Sequence, residues 1–156
     1  MSGIRAEIIA RRFHKITGFP VKLSRLCERY SFTLRFTRLD EVDSFYLLHE
    51  GKRHIVVNDA LSRVRQRFSI AHEIGHAVSH HGPLLFSRES SGFPERPRWQ
   101  EVEANRFAAE LLMPKVELKR YGYLTPRQIM EICDVSMSAA TIRAEELGWL
   151  QGELVF

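Results

Sequence analysis

The chain has 156 residues, 44% of them hydrophobic and 27% charged, and carries a formal net charge of +4. That length suffices for one compact domain with at most a small appended subdomain, and it buries roughly 70% of the unfolded surface, so neither disulfides nor an obligate partner is needed for a core. The composition excludes wholesale disorder and fibrous architectures, and no apolar run approaches the ~20 residues of a membrane span.

The charge is uneven. Residues 1–67 hold 14 Lys/Arg against 7 Asp/Glu, whereas residues 68–156 hold 9 against 12. Scattered arginines on solvated helix faces account for such a bias as well as an anionic partner does. The first residues, Met1 to Glu7, interrupt their apolar positions with charges and lack the apolar stretch of a secretory signal, so a cytoplasmic location is expected. Cys27 and Cys133 form no Cys-x-x-Cys pair and read as reduced, buried thiols.

In chain order, Ile4, Ile8, Ile9, Phe13 and Ile16 have helical spacing, and Gly18 with Pro20 stops that helix. A short second helix is predicted over 20–30. The period then changes: Phe32, Leu34 and Phe36 alternate with polar residues, Phe45 to Leu48 form an apolar run, and Ile55 to Val57 are β-branched. Three strands follow, with a tight turn at Glu50-Gly51-Lys52, and the expectation is a small, mostly antiparallel sheet. The 3.6 period returns from Arg65 to His80, and Gly82-Pro83 breaks it. Residues 87–97, rich in Ser, Gly, Pro and Arg, read as a surface loop. Helices are expected over 98–113, ending before Pro114, then over 115–121, 126–133 and 136–147, with Thr125 and Ser136 as N-caps.

The motif that carries chemistry is His72-Glu73-Ile74-Gly75-His76. Histidines four apart lie about 40° apart around a helix, so both imidazoles project from one side and can share a tetrahedral cation. Glu73, one position round, can reach a water at that cation rather than the cation itself. Ile70, Ile74, Ala77 and Val78 supply a packing stripe opposite. A five-residue match of this kind also arises by chance, so a third protein ligand is needed. The positions where a metzincin would carry its third histidine and its turn glycine are Gly82 and Ser79, which excludes that variant.

The third ligand is sought downstream, between Glu101 and Pro114. Glu103, Phe107 and Leu111 stand at i, i+4 and i+8, so Glu103 shares a stripe with core side chains, where a cation would compensate the burial of a carboxylate. Glu103 is therefore preferred over Glu101 and Glu110; the plain alternative is a rim residue or an ion-pair partner for an arginine such as Arg67. Ala104, Ala108 and Ala109 would let this helix approach the histidines closely. His80 and His81 read as loop-proximal side chains. Tyr121, Tyr123 and His54 are candidate oxyanion donors, and nothing in the sequence selects among them.

Arg67-Phe68-Ser69-Ile70-Ala71 running into the His-Glu-Ile-Gly-His element, Glu103-Ala104-Asn105-x-Phe107-Ala108 running into Leu111-Leu112-Met113-Pro114, and the strand ending at Val57-Asn58 together resemble the ImmA/IrrE family of metallopeptidases. The resemblance implies a zincin-like α+β domain, metal ligands at His72, His76 and Glu103, and a catalytic glutamate at Glu73. It also implies a protein substrate, a helix-turn-helix transcriptional repressor, whose cleavage switches on mobile-element or stress-response genes. Residues 125–150 look like the helix-turn-helix-like C-terminal part found in that family, giving a division into a metallopeptidase domain over 1–122 and a helical subdomain over 123–156. The chain leaves no length for an appended sensory domain, so ligand sensing by one is not expected.

The reading is a zinc-dependent endopeptidase, with Mn²⁺ or Fe²⁺ compatible with two imidazoles and a carboxylate. Direct nucleic-acid binding is not expected, because Glu131, Asp134, Glu145 and Glu146 oppose only Arg127 and Arg143 in the tail. The rival from another class is a non-catalytic regulator that binds a repressor or DNA and uses the metal to hold its helices. A broad-specificity degradative peptidase is the third possibility.

Overall fold

The computed structural model describes residues 3–79, 82 and 95–150. Helix α1 (Gly3–Thr17) ends at Gly18, whose φ of +68° is the left-handed conformation that closes a helix. A short helix α2 (Leu23–Arg29) leads into strand β1 (Phe32–Thr37), followed by β2 (Ser44–His49) and β3 (Lys52–Asn58). Glu50 and Gly51, with φ of 48° and 72°, make the tight hairpin between β2 and β3, a turn that needs positive φ at both central residues.

The fold is α+β, and the sheet is mixed rather than antiparallel. Its order is β1-β3-β2, with β2 antiparallel and β1 parallel to β3. The hairpin occupies one side of β3, so residues 38–43 carry the chain from β1 across to the far edge. An alternating pattern of period 2 is the same for either pairing, and for that reason the strand order was not legible in it. Register places Phe32 opposite Arg53 and Leu34 and Tyr46 opposite Ile55, so Phe32, Tyr46, Ile55 and Val57 face the core together. As the central strand, β3 is buried through His54, Ile55, Val56 and Val57.

Ser62 caps helix α3 (Arg63–Val78) by accepting from the backbone N–H of Arg65. Helix α4 (Arg98–Leu112) packs directly on α3. A Cβ placed on Gly75 would lie 3.0 Å from Cδ1 of Phe107 and 3.2 Å from both Cα and the carbonyl oxygen of Ala104, so the absent side chain is what lets the two helices touch. Helix α1 covers α4 through the edge-to-face pair of Phe13 and Phe107.

After α5 (Lys115–Lys119), the capping box of Thr125 and Gln128 starts α6 (Pro126–Cys133), and Ser136 caps α7 (Met137–Glu146). The buried cluster runs across residue 122: Leu124, Ile129, Cys133, Val135, Ala140 and Ala144 belong to the same core as Phe13, Ile74 and Phe107. Two polar ties join the same parts. Arg67 of α3 donates to the carbonyl oxygens of Val21, Cys133 and Asp134 and pairs with the Asp134 carboxylate, while Arg143 of α7 meets Glu110 of α4 in a buried ion pair. Arg67 is thus engaged with Asp134. Both cysteines are free thiols in this core. No helix among the described residues is long and apolar enough to cross a membrane.

Candidate metal centre

On α3, His72 and His76 stand one turn apart with their Nε2 atoms 3.0 Å apart and their rings nearly perpendicular. Glu101, in the first turn of α4, bridges them: Oε2 lies 3.1 Å from Nε2 of His72 and Oε1 lies 3.1 Å from Nε2 of His76. One ligand atom from each of the three residues falls within 4.8 Å of the others. Across the close helix contact at Gly75, two helices distant in sequence thus deliver a carboxylate and two imidazoles to one point.

The second nitrogen of His72 is also fixed. Its Nδ1 lies 2.8 Å from Oδ1 of Asn105, a contact in which Nδ1 donates and which orients the ring with Nε2 toward Glu101. Two nitrogen donors and one carboxylate converging in this way, one imidazole already oriented by an outer partner, suit a divalent cation such as zinc.

The structure brings Glu101, not Glu103, to the histidines. Helix geometry explains the difference. Helix α4 meets α3 at Gly75 through Ala104 and the edge of Phe107, Glu101 and Asn105 lie on the side that reaches His72, and Glu103 is two residues on from Glu101 and roughly 160° round the helix. Phe107, whose register singled out Glu103, turns in part toward Phe13 of α1. Glu101 is half-exposed at the rim of the interface, so a search for a buried carboxylate passes it over. Its spacing of four from Asn105, beside the small residues at 104 and 108, is the signal that identifies it. Glu110 lies elsewhere, paired with Arg143.

Glu73 is buried beside this group, and its Oε1 accepts a hydrogen bond of 2.7 Å from Oγ of Ser44, the first residue of β2. Burial pushes the Glu73 carboxyl above its ordinary range, against the opposing pull of His72, Ser44 and Arg96. Burial likewise lowers His76, to about 4, although Glu101 works the other way. Burial disfavours the charged form of His72 too, but the hydrogen bond it donates to Glu101, the nearby charges of Glu73 and Glu101 and the bond to Asn105 outweigh it and hold the group above its ordinary value. Glu101 is held far below the usual carboxylate range by its hydrogen bonds to both histidines. Arg96, just before α4, donates from Nη2 to the carbonyl oxygen of Gly82 at 2.9 Å, and its charge acts on Glu73 and Glu101.

The other candidates have neighbours of their own. Tyr121 lies against Phe19 and Tyr123 against Trp149, both largely exposed. His54 is buried on β3 near His49. His80, His81 and residues 87–94 of the expected loop lie outside the described residues.

Three comparisons bear on this arrangement. A family model described as the IrrE N-terminal-like domain, Peptidase_M78, matches residues 27–145. "Uncharacterized immunity region protein 2" of Bacillus phage phi105 is 35% identical over 82 residues, 52% of this chain and 51% of that protein, so the match spans about half the length of the relative. A solved structure named as a Mycobacterium tuberculosis transcriptional regulator superposes with a TM-score of 0.64 at 17% identity, over 97% of this chain and 48% of the other, which shows a shared fold. Matched over most of its length by that family model, the chain belongs to the IrrE N-terminal-like peptidase family, Peptidase_M78.

Proposed function

We propose that this chain is a metal-dependent endopeptidase that holds zinc through His72, His76 and Glu101 and uses Glu73 as its general base. The observation that carries the reading is the convergence of the two Nε2 atoms and the Glu101 carboxylate, with the buried Glu73 carboxylate on the same helix beside them. A divalent cation at that point would act as a Lewis acid toward the scissile carbonyl; two imidazoles and a carboxylate also accept Mn²⁺ or Fe²⁺. Glu73 takes a proton from the attacking water and returns it to the leaving amine, and a carboxyl raised by burial is better matched to that exchange near neutral pH than a solvated one. Asn105 keeps His72 in the tautomer that presents Nε2.

The substrate we infer is a helix-turn-helix transcriptional repressor, cut in the cytoplasm so that mobile-element or stress-response genes are released. The match to a phage protein named for an immunity region supports that class of target. The tail serves as a structural or substrate-docking element rather than a DNA reader, since its exposed carboxylates, Glu131 and Glu145 among them, repel phosphate. The test is incubation of the zinc-loaded chain with repressors encoded beside its gene, read by mass spectrometry. Fragments that vanish with chelator and with Glu73→Gln, while the variant keeps its zinc, are the expected result. Stable complexes without fragments would overturn the enzyme in favour of a sequestering regulator.

A further inference from the structure

The structure assigns to Ser44 the role of a positioning residue for Glu73, an assignment that rests on the peptidase reading. Ser44 opens β2, an edge strand of the sheet, and its hydroxyl donates to Oε1 of Glu73 at 2.7 Å. A carboxylate rotates broadly about its last torsion, so a base that must meet a water from one direction needs that rotation stopped. A charge-assisted hydrogen bond on one oxygen does this and leaves Oε2 to receive the proton. It also gives a nearly inaccessible carboxylate a partner, without which burial of the charge would be costly.

The backbone carrying Ser44 is tied to the helix that carries Glu73. Asp43 accepts from Arg65 of α3 at 2.8 Å through Nε and pairs with Nη2 of the same guanidinium at 2.6 Å. The carbonyl oxygen of Asp43 accepts from the backbone N–H of Asn58 at 2.8 Å. Asn58 in turn clasps Leu39, its Nδ2 donating to the Leu39 carbonyl at 2.9 Å and its Oδ1 accepting from the Leu39 N–H at 3.4 Å. Residues 39–43 are therefore pinned at both ends, to β3 and to α3, and the hydroxyl that follows them is presented to Glu73 by covalent continuity. A serine whose purpose was to satisfy a buried charge would need no such bracing from the same helix.

The test uses the full zinc-loaded chain as wild type, Ser44→Ala, Ser44→Thr and Glu73→Gln, with two readouts: kcat and KM for repressor cleavage, and calorimetric affinity for acetohydroxamate. That zinc chelator passes its hydroxyl proton to an adjacent carboxylate and so reports the placement of Glu73 without any peptide being cut. Ser44→Ala should keep its zinc and its KM, lose roughly ten- to a hundredfold in kcat, the range of one hydrogen bond to a charged group, and bind acetohydroxamate about tenfold more weakly. Ser44→Thr, which retains the hydroxyl, should restore both. An alanine variant with unchanged kcat and unchanged hydroxamate affinity overturns the assignment, as does one whose defect lies in zinc content or KM alone. Glu73→Gln separates the two readings: if it behaves as wild type, the general-base role fails, whereas an inactive Glu73→Gln beside a normal Ser44→Ala defeats the positioning role alone. If no repressor is cut, the hydroxamate affinities still decide.

Discussion

Asn105 follows Glu101 by one helical turn, and both reach His72, the carboxylate at Nε2 and the amide oxygen at Nδ1. One turn of α4 therefore fills both sides of one imidazole. Removing the outer partner of a ligating histidine typically costs tenfold to a hundredfold in metal affinity, so Asn105→Ala should weaken zinc by about that much in a competition titration. Glu101→Ala should abolish stoichiometric metal, and Glu103→Ala should retain it. The reverse pattern, metal kept without Glu101 and lost without Glu103, would reinstate the ligand expected from the sequence.

Gly75 lies between His72 and His76 at the contact of α3 with α4. Alanine there gains about 1 kcal/mol in helix propensity. Its Cβ, however, meets Phe107 and the backbone of Ala104 at 3.0 to 3.2 Å, and neither a fully buried ring nor a helix backbone yields readily. Overpacking of this kind costs about 1–3 kcal/mol. Gly75→Ala should lower the thermal midpoint of the metal-free chain and, by displacing α4, loosen zinc binding more than the stability loss alone would. Unchanged zinc affinity in a destabilised variant would show that the helix spacing does not set the site.

Much of this was written in the sequence because helix geometry is rigid. The spacing of His72 and His76 fixed their common side, Thr125 and Ser136 announced the helices they cap, and Glu50-Gly51 announced its hairpin. What escaped were relations between elements. Choosing among Glu101, Glu103 and Glu110 required knowing how α4 is turned against α3, and the contact at Gly75, made by the backbone of Ala104 and the ring edge of Phe107, sets that rotation. The parallel pairing of β1 leaves no trace in an alternating pattern. A lone serine such as Ser44 carries no signal until the strand that bears it is laid against α3.

His14 of α1 sits between Phe19 and Glu117, with Nδ1 buried and without a hydrogen-bond partner among the described residues. Burial lowers its pKa below the ordinary 6.5, outweighing the attraction of Glu117 at 3.9 Å, and Arg120 adds to the lowering. The unfolded chain then takes up the proton first on acidification. Stability from the neutral imidazole is complete above about pH 6.5 and is lost as pH falls from there toward the folded-state value. In urea unfolding with chelator present, His14→Phe should lose less stability than wild type between pH 7.5 and 5.5. An equal or larger loss in the variant would contradict the sign.

Arg143 and Glu110 form a buried ion pair at 3.2 Å, their side chains 3% and 7% exposed, with Glu146 at 2.9 Å from the same guanidinium nitrogen and the Lys115 backbone N–H donating to the other Glu110 oxygen. Replacing Arg143 by methionine would take away the buried cation that faces the Glu110 charge, a change that typically costs about 3–5 kcal/mol, whereas removing both charges together costs far less. Arg143→Met should thus be strongly destabilised and Arg143→Met with Glu110→Met close to wild type, by denaturant unfolding. The same experiment tests the division at residue 122. If 123–156 were a separate subdomain, breaking this tie would melt the tail alone and split the transition into two. Ile129, Cys133, Ala140 and Ala144 share their core with α1, α3 and α4, and Arg67 anchors the α6–α7 turn to α3, so far-UV and near-UV signals should instead move together in one shifted transition.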